Sequence, residues 1–142
     1  PDEDYIVPLG VADIKRKGSD LTIVTYGAMV HASLDVAERL SKEGAECEVI
    51  DLRSLSPLDR NTFLESVRKT SRALVVHEAQ LTGGFGGEVA AIIAQDAFDV
   101  LDAPVTRVAA LDVPAPFSAP LEDAMLPNPE KIYNAACKVL GY

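Results

Sequence analysis

Ala73-Leu74-Val75-Val76-His77-Glu78-Ala79-Gln80-Leu81-Thr82-Gly83-Gly84-Phe85-Gly86-Gly87-Glu88 decides how this chain folds. A short apolar run ends in His-Glu, a glycine-dense turn follows, and an apolar-periodic helix starts near Glu88. A strand that feeds a helix through a polar corner is the unit of an open α/β sheet, and such sheets place their sites at the ends of strands.

The same alternation runs outward in both directions. Leu21-Thr22-Ile23-Val24-Thr25-Tyr26 is β-branched and aromatic and predicts a buried strand. Val30, Leu34, Ala37 and Leu40 then recur at helical spacing, which predicts a helix from about Met29 to Glu43 with Gly44 as its left-handed cap. A second strand is expected over Cys47–Leu52, and Asp59 is placed to cap a helix carrying Phe63, Leu64 and Val67. Ala73–Val76 is the third strand; Val89, Ile92, Ile93 and Ala97 mark the third helix; Val105–Ala109 is the fourth strand. Pro114, Pro116, Pro120 and Pro127 forbid a continuous helix, since each fixes φ and removes a donor. Asn128-Pro129-Glu130 then reads as a helix start, with Ile132, Ala135, Ala136 and Val139 on its apolar face. Strands alternating with helices predict an α/β fold, a three-layer and mostly parallel sheet with helices on both faces. Residues 1–19, with Pro8, Gly10, Gly18 and the solvated basic run Lys15-Arg16-Lys17, read as an extended lead-in, and residues 20–142 as the domain.

A net charge of -9, from 13 Lys+Arg against 22 Asp+Glu, argues against nucleic acid and anionic membrane surfaces as partners. It suits a basic protein partner or simply solubility. Cys47 and Cys137 have no CxxC spacing, so neither a disulfide framework nor a zinc site is implied, and a reducing compartment fits. No apolar run approaches the roughly 20 residues of a bilayer span, and no secretory signal is visible. The opening Pro1-Asp2-Glu3-Asp4-Tyr5, without an initiator Met, reads as a linker entering an excised domain.

The corner offers three chemistries, and each meets an obstacle. A phosphate cradle needs backbone N–H groups converging at a helix N-terminus, yet the glycine spacing is neither GxGxxG nor GxxxxGK[ST], no lysine follows, and Glu88 would oppose an anion. His77-Glu78 could be a base with its orienting acid, but neighbours on a strand point to opposite faces. HExxH and GxSxG are absent. His31 reads as an ordinary, partly exposed histidine, and both cysteines as buried and inert. The structural reading is a strand-to-helix corner in which Phe85 inserts into a core or an interface.

The motif order Asp20–Val30, Val49–Asp59, His77–Ala79 with Gly83–Glu88, Ala103–Val108 and Leu126-Pro127 closely resembles the C-terminal domain of the transketolase superfamily, across essentially the whole chain. Within it, the sequence is most similar to the beta subunit of the decarboxylating component of 2-oxo acid dehydrogenase complexes. The resemblance implies an enzyme that holds thiamine diphosphate and Mg²⁺ between domains missing here, so it carries no catalytic, cofactor-binding or metal residue onto this chain. It implies partners instead: an alpha subunit, a second beta subunit, and the subunit-binding domain of an acyltransferase core, which is typically basic. Candidate interface residues are His77, Glu78, Phe85, Asp102 and Tyr142. The expected setting is the cytoplasm of a bacterium, or the mitochondrial matrix in a eukaryote. The competing readings are the equivalent domain of transketolase, of deoxyxylulose-phosphate synthase or of a 2-oxo acid ferredoxin oxidoreductase, and a small module that binds a phosphate ligand at the glycine corner.

Overall fold

Local capping chemistry sets most of the element boundaries. In the computed structural model, which describes residues 4–142, the first long helix, α1 (Met29–Lys42), ends as its glycine requires. Gly44 takes φ +94°, its N–H donates to the Ser41 carbonyl, and the Ala45 N–H donates to the Leu40 carbonyl. These paired bonds satisfy carbonyls that the last turn leaves free. Asp59 caps α2 (Arg60–Thr70): its carboxylate accepts from the Thr62 N–H at 3.2 Å and the Thr62 hydroxyl at 2.7 Å. Asn128 caps α5 (Pro129–Leu140) by accepting from the Lys131 N–H at 2.9 Å.

Five strands form one sheet. They are β1 (Asp13–Arg16), β2 (Leu21–Thr25), β3 (Cys47–Asp51), β4 (Ala73–Gln80) and β5 (Thr106–Ala110), in the order β1-β3-β2-β4-β5. The β3–β2, β2–β4 and β4–β5 pairs are parallel. Helices α1 and α5 pack Leu40, Ile132, Ala136 and Val139 on one face against Leu21, Ile23, Leu74 and Val76. On the other face α2 and α3 (Gly86–Asp96) pack Phe63, Val67, Val89 and Ile93 against Val24, Ile50 and Val75. The alternation of Leu74/Val76 with Ala73/Val75 between the two cores is the strand period of two read in a sheet buried on both sides.

Several departures from the sequence reading have physical causes. The stretch read as an extended lead-in contains β1, which pairs antiparallel with β3 through Ile14↔Ile50. Its residues Pro1–Glu3 lie outside the described residues. Arg16 of the basic run is not simply solvated: its guanidinium donates to the Cys47 carbonyl at 2.7 Å and pairs with Glu46 at 2.6 Å. The third strand runs past Val76 to Gln80, because β5 continues to supply partners, and the proline-dense segment carries a short helix, α4 (Ala119–Met125), with Pro120 in its first turn. Cys47 is buried as expected, and burial pushes its thiol up to about 12; Cys137 is only half-buried.

The Asp59 cap also ties the lead-in to α2, since the Ala12 N–H donates to its Oδ2 at 3.0 Å. Burial works to raise this carboxyl, but the bonds from Thr62 and Ala12 outweigh it and hold the group below its ordinary value. A depressed carboxylate stabilises the fold above its unfolded pKa, and that contribution is lost as pH falls through the folded value. Asp59→Ala should therefore cost about 1–2 kcal/mol at neutral pH by urea denaturation, and the difference from the parent should shrink below about pH 4.

Candidate functional site

The sheet reverses its winding direction between β2 and β4, and the carboxyl ends of those strands form the crevice where open α/β sheets hold ligands. Tyr26 and Gly27 follow β2 there, and His77–Gln80 end β4. Between the pairs Val76↔Val108 and Gln80↔Ala110, β4 carries three residues where β5 carries one. This bulge lies at His77, Glu78 and Ala79, and bulges re-aim side chains.

The two candidates His77 and Glu78 separate, as the strand period requires. His77 is fully buried, and Glu78 is exposed beside Gly27. The imidazole stacks on Tyr26 with ring centroids 6.1 Å apart and planes 4° from parallel. Glycine is required above it. A Cβ on Gly84 would stand 2.7 Å from His77 Cε1, and a Cβ on Gly86 would sit well inside contact distance of Cδ2 and Nε2. The glycine corner is thus a lid of bare backbone pressed onto a histidine ring. Neither ring nitrogen has a hydrogen-bond partner among the described residues. Burial, reinforced by the Arg107 guanidinium and opposed by the Ala79 backbone, holds His77 below its ordinary value of 6.5 and keeps the ring neutral. Burial and the Glu78 charge together raise the Tyr26 phenol.

Residues to which the sequence reading gave no role clamp this lid. The Arg107 guanidinium donates to the Leu81 carbonyl at 2.8 Å. Asp112 accepts from the Thr82 N–H at 2.9 Å and from its hydroxyl at 2.7 Å, and the Gln80 amide donates to the Val113 carbonyl at 2.9 Å. Hydrogen bonds from Thr82 lower the Asp112 carboxyl.

The remaining candidates lie elsewhere. Phe85 is half-buried against the α2/α3 core and lines a groove with Leu55, Leu58 and Gly83. Asp102 is exposed before β5, at the end of the sheet opposite the corner, with its carboxylate 3.9 Å from Arg72. Tyr142 is exposed after α5. The apolar surface concentrates instead on the segment after β5. Leu111, Val113, Phe117 and Leu121 are all exposed, Phe117 fully, and α4 buries no residue. Monomeric proteins rarely leave such a run uncovered. Among the described residues no helix is long and apolar enough to cross a membrane.

Comparison with known proteins gives this geometry a family. Residues 10–132 match the profile of the transketolase C-terminal domain. The chain is 51% identical over 142 residues to the pyruvate dehydrogenase E1 component subunit beta of Bacillus subtilis, covering all of this chain and 43% of that protein. It is 44% identical over 141 residues to the acetoin:2,6-dichlorophenolindophenol oxidoreductase subunit beta of the same organism, of which it covers 41%. It is 41% identical over 138 residues to the mitochondrial pyruvate dehydrogenase E1 beta subunit of Dictyostelium discoideum, of which it covers 39%. It therefore spans about two-fifths of the length of these relatives. Among solved structures, a split-gene transketolase described as an inactive β4 tetramer superposes on 97% of this chain and 44% of its own, at a TM-score of 0.83 and 30% identity. The mostly parallel sheet is thus that of a known domain: the chain belongs to the transketolase C-terminal domain family.

Proposed function

We propose that this chain is the C-terminal domain of the beta subunit of a thiamine-diphosphate-dependent 2-oxo acid dehydrogenase, and that it serves assembly while other parts of the enzyme do the chemistry. The whole enzyme oxidatively decarboxylates a 2-oxo acid and passes the acyl group to lipoamide. The carrying observation is the 51% identity over the full chain to a pyruvate dehydrogenase beta subunit, against 30% to the split-gene transketolase, which favours this reading over the transketolase one.

The domain's own residues do not fit thiamine diphosphate with Mg²⁺. The N-terminal turn of α3 carries Glu88, Gly84 and Gly86 are pressed onto His77, and the cations beside the corner are engaged elsewhere, Arg107 with Leu81 and Arg60 with Asp96. The cofactor belongs to the remainder of the assembly. A phosphate-binding module at this corner is disfavoured for the same reason. Thermal-shift measurements on the chain with thiamine diphosphate and Mg²⁺ should show no stabilisation.

The partners are an alpha subunit, a second beta subunit and the basic subunit-binding domain of the acyltransferase. The exposed run Leu111–Leu121 supports a subunit contact, with Glu78 and Phe85 at the neighbouring corner, to which His77 contributes through the lid it supports. The acidic charge of -9 and the exposed Asp102 and Tyr142 support the docking site. The setting is a bacterial cytoplasm or, in a eukaryote, the mitochondrial matrix. The test is to co-express the full-length gene product with its alpha subunit and assay 2-oxo acid decarboxylation. Activity that needs both chains is expected, and ketol transfer between sugar phosphates would overturn the reading. For docking, Asp102→Arg should weaken binding of the basic domain about tenfold or more in titration calorimetry. Unchanged affinity would remove Asp102 from the site.

A further inference from the structure

The buried, unpartnered imidazole has a consequence for the lid it carries. The His77 ring is bracketed by Tyr26 stacked from β2 and by Gly84 and Gly86 above, and the Ala79 backbone lies against it. The charged and titratable groups around it are Arg107 on β5, Glu78 on its own strand, Tyr26 on β2, Glu88 in the first turn of α3 and Asp112 beyond Arg107. None hydrogen-bonds the ring among the described residues, and Arg107 is a cation. A neutral ring tolerates this packing. An imidazolium has two donors to satisfy and a charge to solvate, and among the described residues no carboxylate bonds the ring and only the Ala79 backbone favours its charged form. The cheapest way to hydrate it is to lift the lid, because residues 81–87 carry few apolar anchors of their own, and Phe85 is only half-buried.

We propose that His77 and the glycine corner form an acid-sensitive latch, in which protonation of the buried ring lifts residues 81–87 off β4 and loosens the exposed apolar segment 111–117 clamped to them. The clamp is physical: Leu81 N–H to the Ala110 carbonyl, Thr82 to Asp112, Gln80 to Val113. Opening the corner removes these bonds together, so a single proton is coupled to the surface that the domain leaves uncovered. The latch stands whether or not the enzyme is a 2-oxo acid dehydrogenase, since it needs only the corner.

The sign follows from linkage. A histidine held neutral in the closed state and free to ionise in the open one favours closure above the ordinary value of 6.5 and opening below it. The open population then rises by up to about tenfold per pH unit below that value, until the closed form itself protonates.

Hydrogen–deuterium exchange by mass spectrometry on the full-length subunit that carries this chain tests it. Protection, corrected for the intrinsic pH dependence of exchange, is followed in peptides covering 78–89 and 108–118 between pH 7.5 and pH 5. The expected result is a fall of about tenfold per unit below pH 6.5 in both regions. Peptides from β2, β3 and α1 keep their protection. His77→Gln and His77→Phe should flatten the profile, while Glu78→Gln and Glu88→Gln should leave it. A pH-independent profile in the parent subunit overturns the proposal, and this arm stands even where a His77 variant fails to fold. So does a slope that survives in a folded His77 variant or disappears in either glutamate variant, and so does loss of protection spread evenly over the sheet.

Discussion

Gly86→Ala should destabilise the chain by about 3 kcal/mol, read as a lowered urea midpoint with an unchanged slope. Alanine is a better helix former than glycine by about 1 kcal/mol, so propensity alone predicts the opposite sign at the first turn of α3. The decisive term is steric. The new methyl would occupy the space of His77 Cδ2 and Nε2, and the ring cannot retreat, because Tyr26 is stacked on it and its own backbone lies in the β4 bulge. The corner must rise instead, breaking the Thr82–Asp112 and Arg107–Leu81 bonds. A double-mutant cycle separates this account from a general intolerance of the corner. His77→Ala alone leaves a cavity and costs stability. Combined with Gly86→Ala, it should give a coupling of at least about 1.5 kcal/mol in the rescuing direction. Additive losses would show that the His77 ring is not what requires glycine at position 86.

Gly18→Ala should be at least as damaging, about 3 kcal/mol or more, for a different reason. At this position the chain crosses directly over the start of β3. A Cβ would meet backbone, with the Glu46 carbonyl oxygen 2.5 Å away and the Cys47 carbon and Glu48 nitrogen closer still. Backbone held by β1 on one side and β2 on the other cannot yield as a side-chain tip can. The crossing also carries polar chemistry. The Gly18 N–H donates at 3.3 Å to Glu48, whose buried carboxylate pairs with Lys69 of α2. Displacing the loop would strip a partner from a buried charge, which is costly beyond the clash itself. No second-site truncation can relieve an overlap with main chain, so this loss should not be rescued in the way the Gly86 loss is. Denaturation of Gly18→Ala alongside Gly44→Ala makes the comparison, since nothing lies within 4 Å of a Cβ at Gly44 and only its positive φ is strained.

These two positions mark where sequence reading reaches its end. Asp59, Asn128-Pro129 and Gly44 were legible as helix boundaries because capping is settled within a few residues along the chain. The runs at Leu21, Cys47, Ala73 and Val105 were legible as strands because β-branched and other apolar residues dominate each of them. β1 was not, since Asp13-Ile14-Lys15-Arg16 has the composition of surface and becomes a strand only where β3 presents an open edge. The extension of β4 to Gln80 was missed on the same ground, because its later partners come from β5, about thirty residues on. The glycines of the corner were conspicuous, but their purpose was not. A side chain at Gly84 would also meet the Gln80 carbonyl, but nothing local says that Gly86 must be bare because a histidine from the preceding strand lies beneath it.

By itself, then, the sequence determined the α/β alternation, the helix ends and the family pattern that the comparisons bear out, all properties written in short-range periodicity and capping or in ordered motifs. Only the tertiary structure decided the partners of each polar group: that His77 faces inward with no hydrogen bond while Glu78 faces solvent, that Arg107 and Asp112 hold the corner down, and that Leu111–Leu121 stays uncovered. The physical reason is range. Propensity and caps act over one turn or one strand, whereas burial and hydrogen-bond satisfaction are decided by residues that meet only after the sheet has closed.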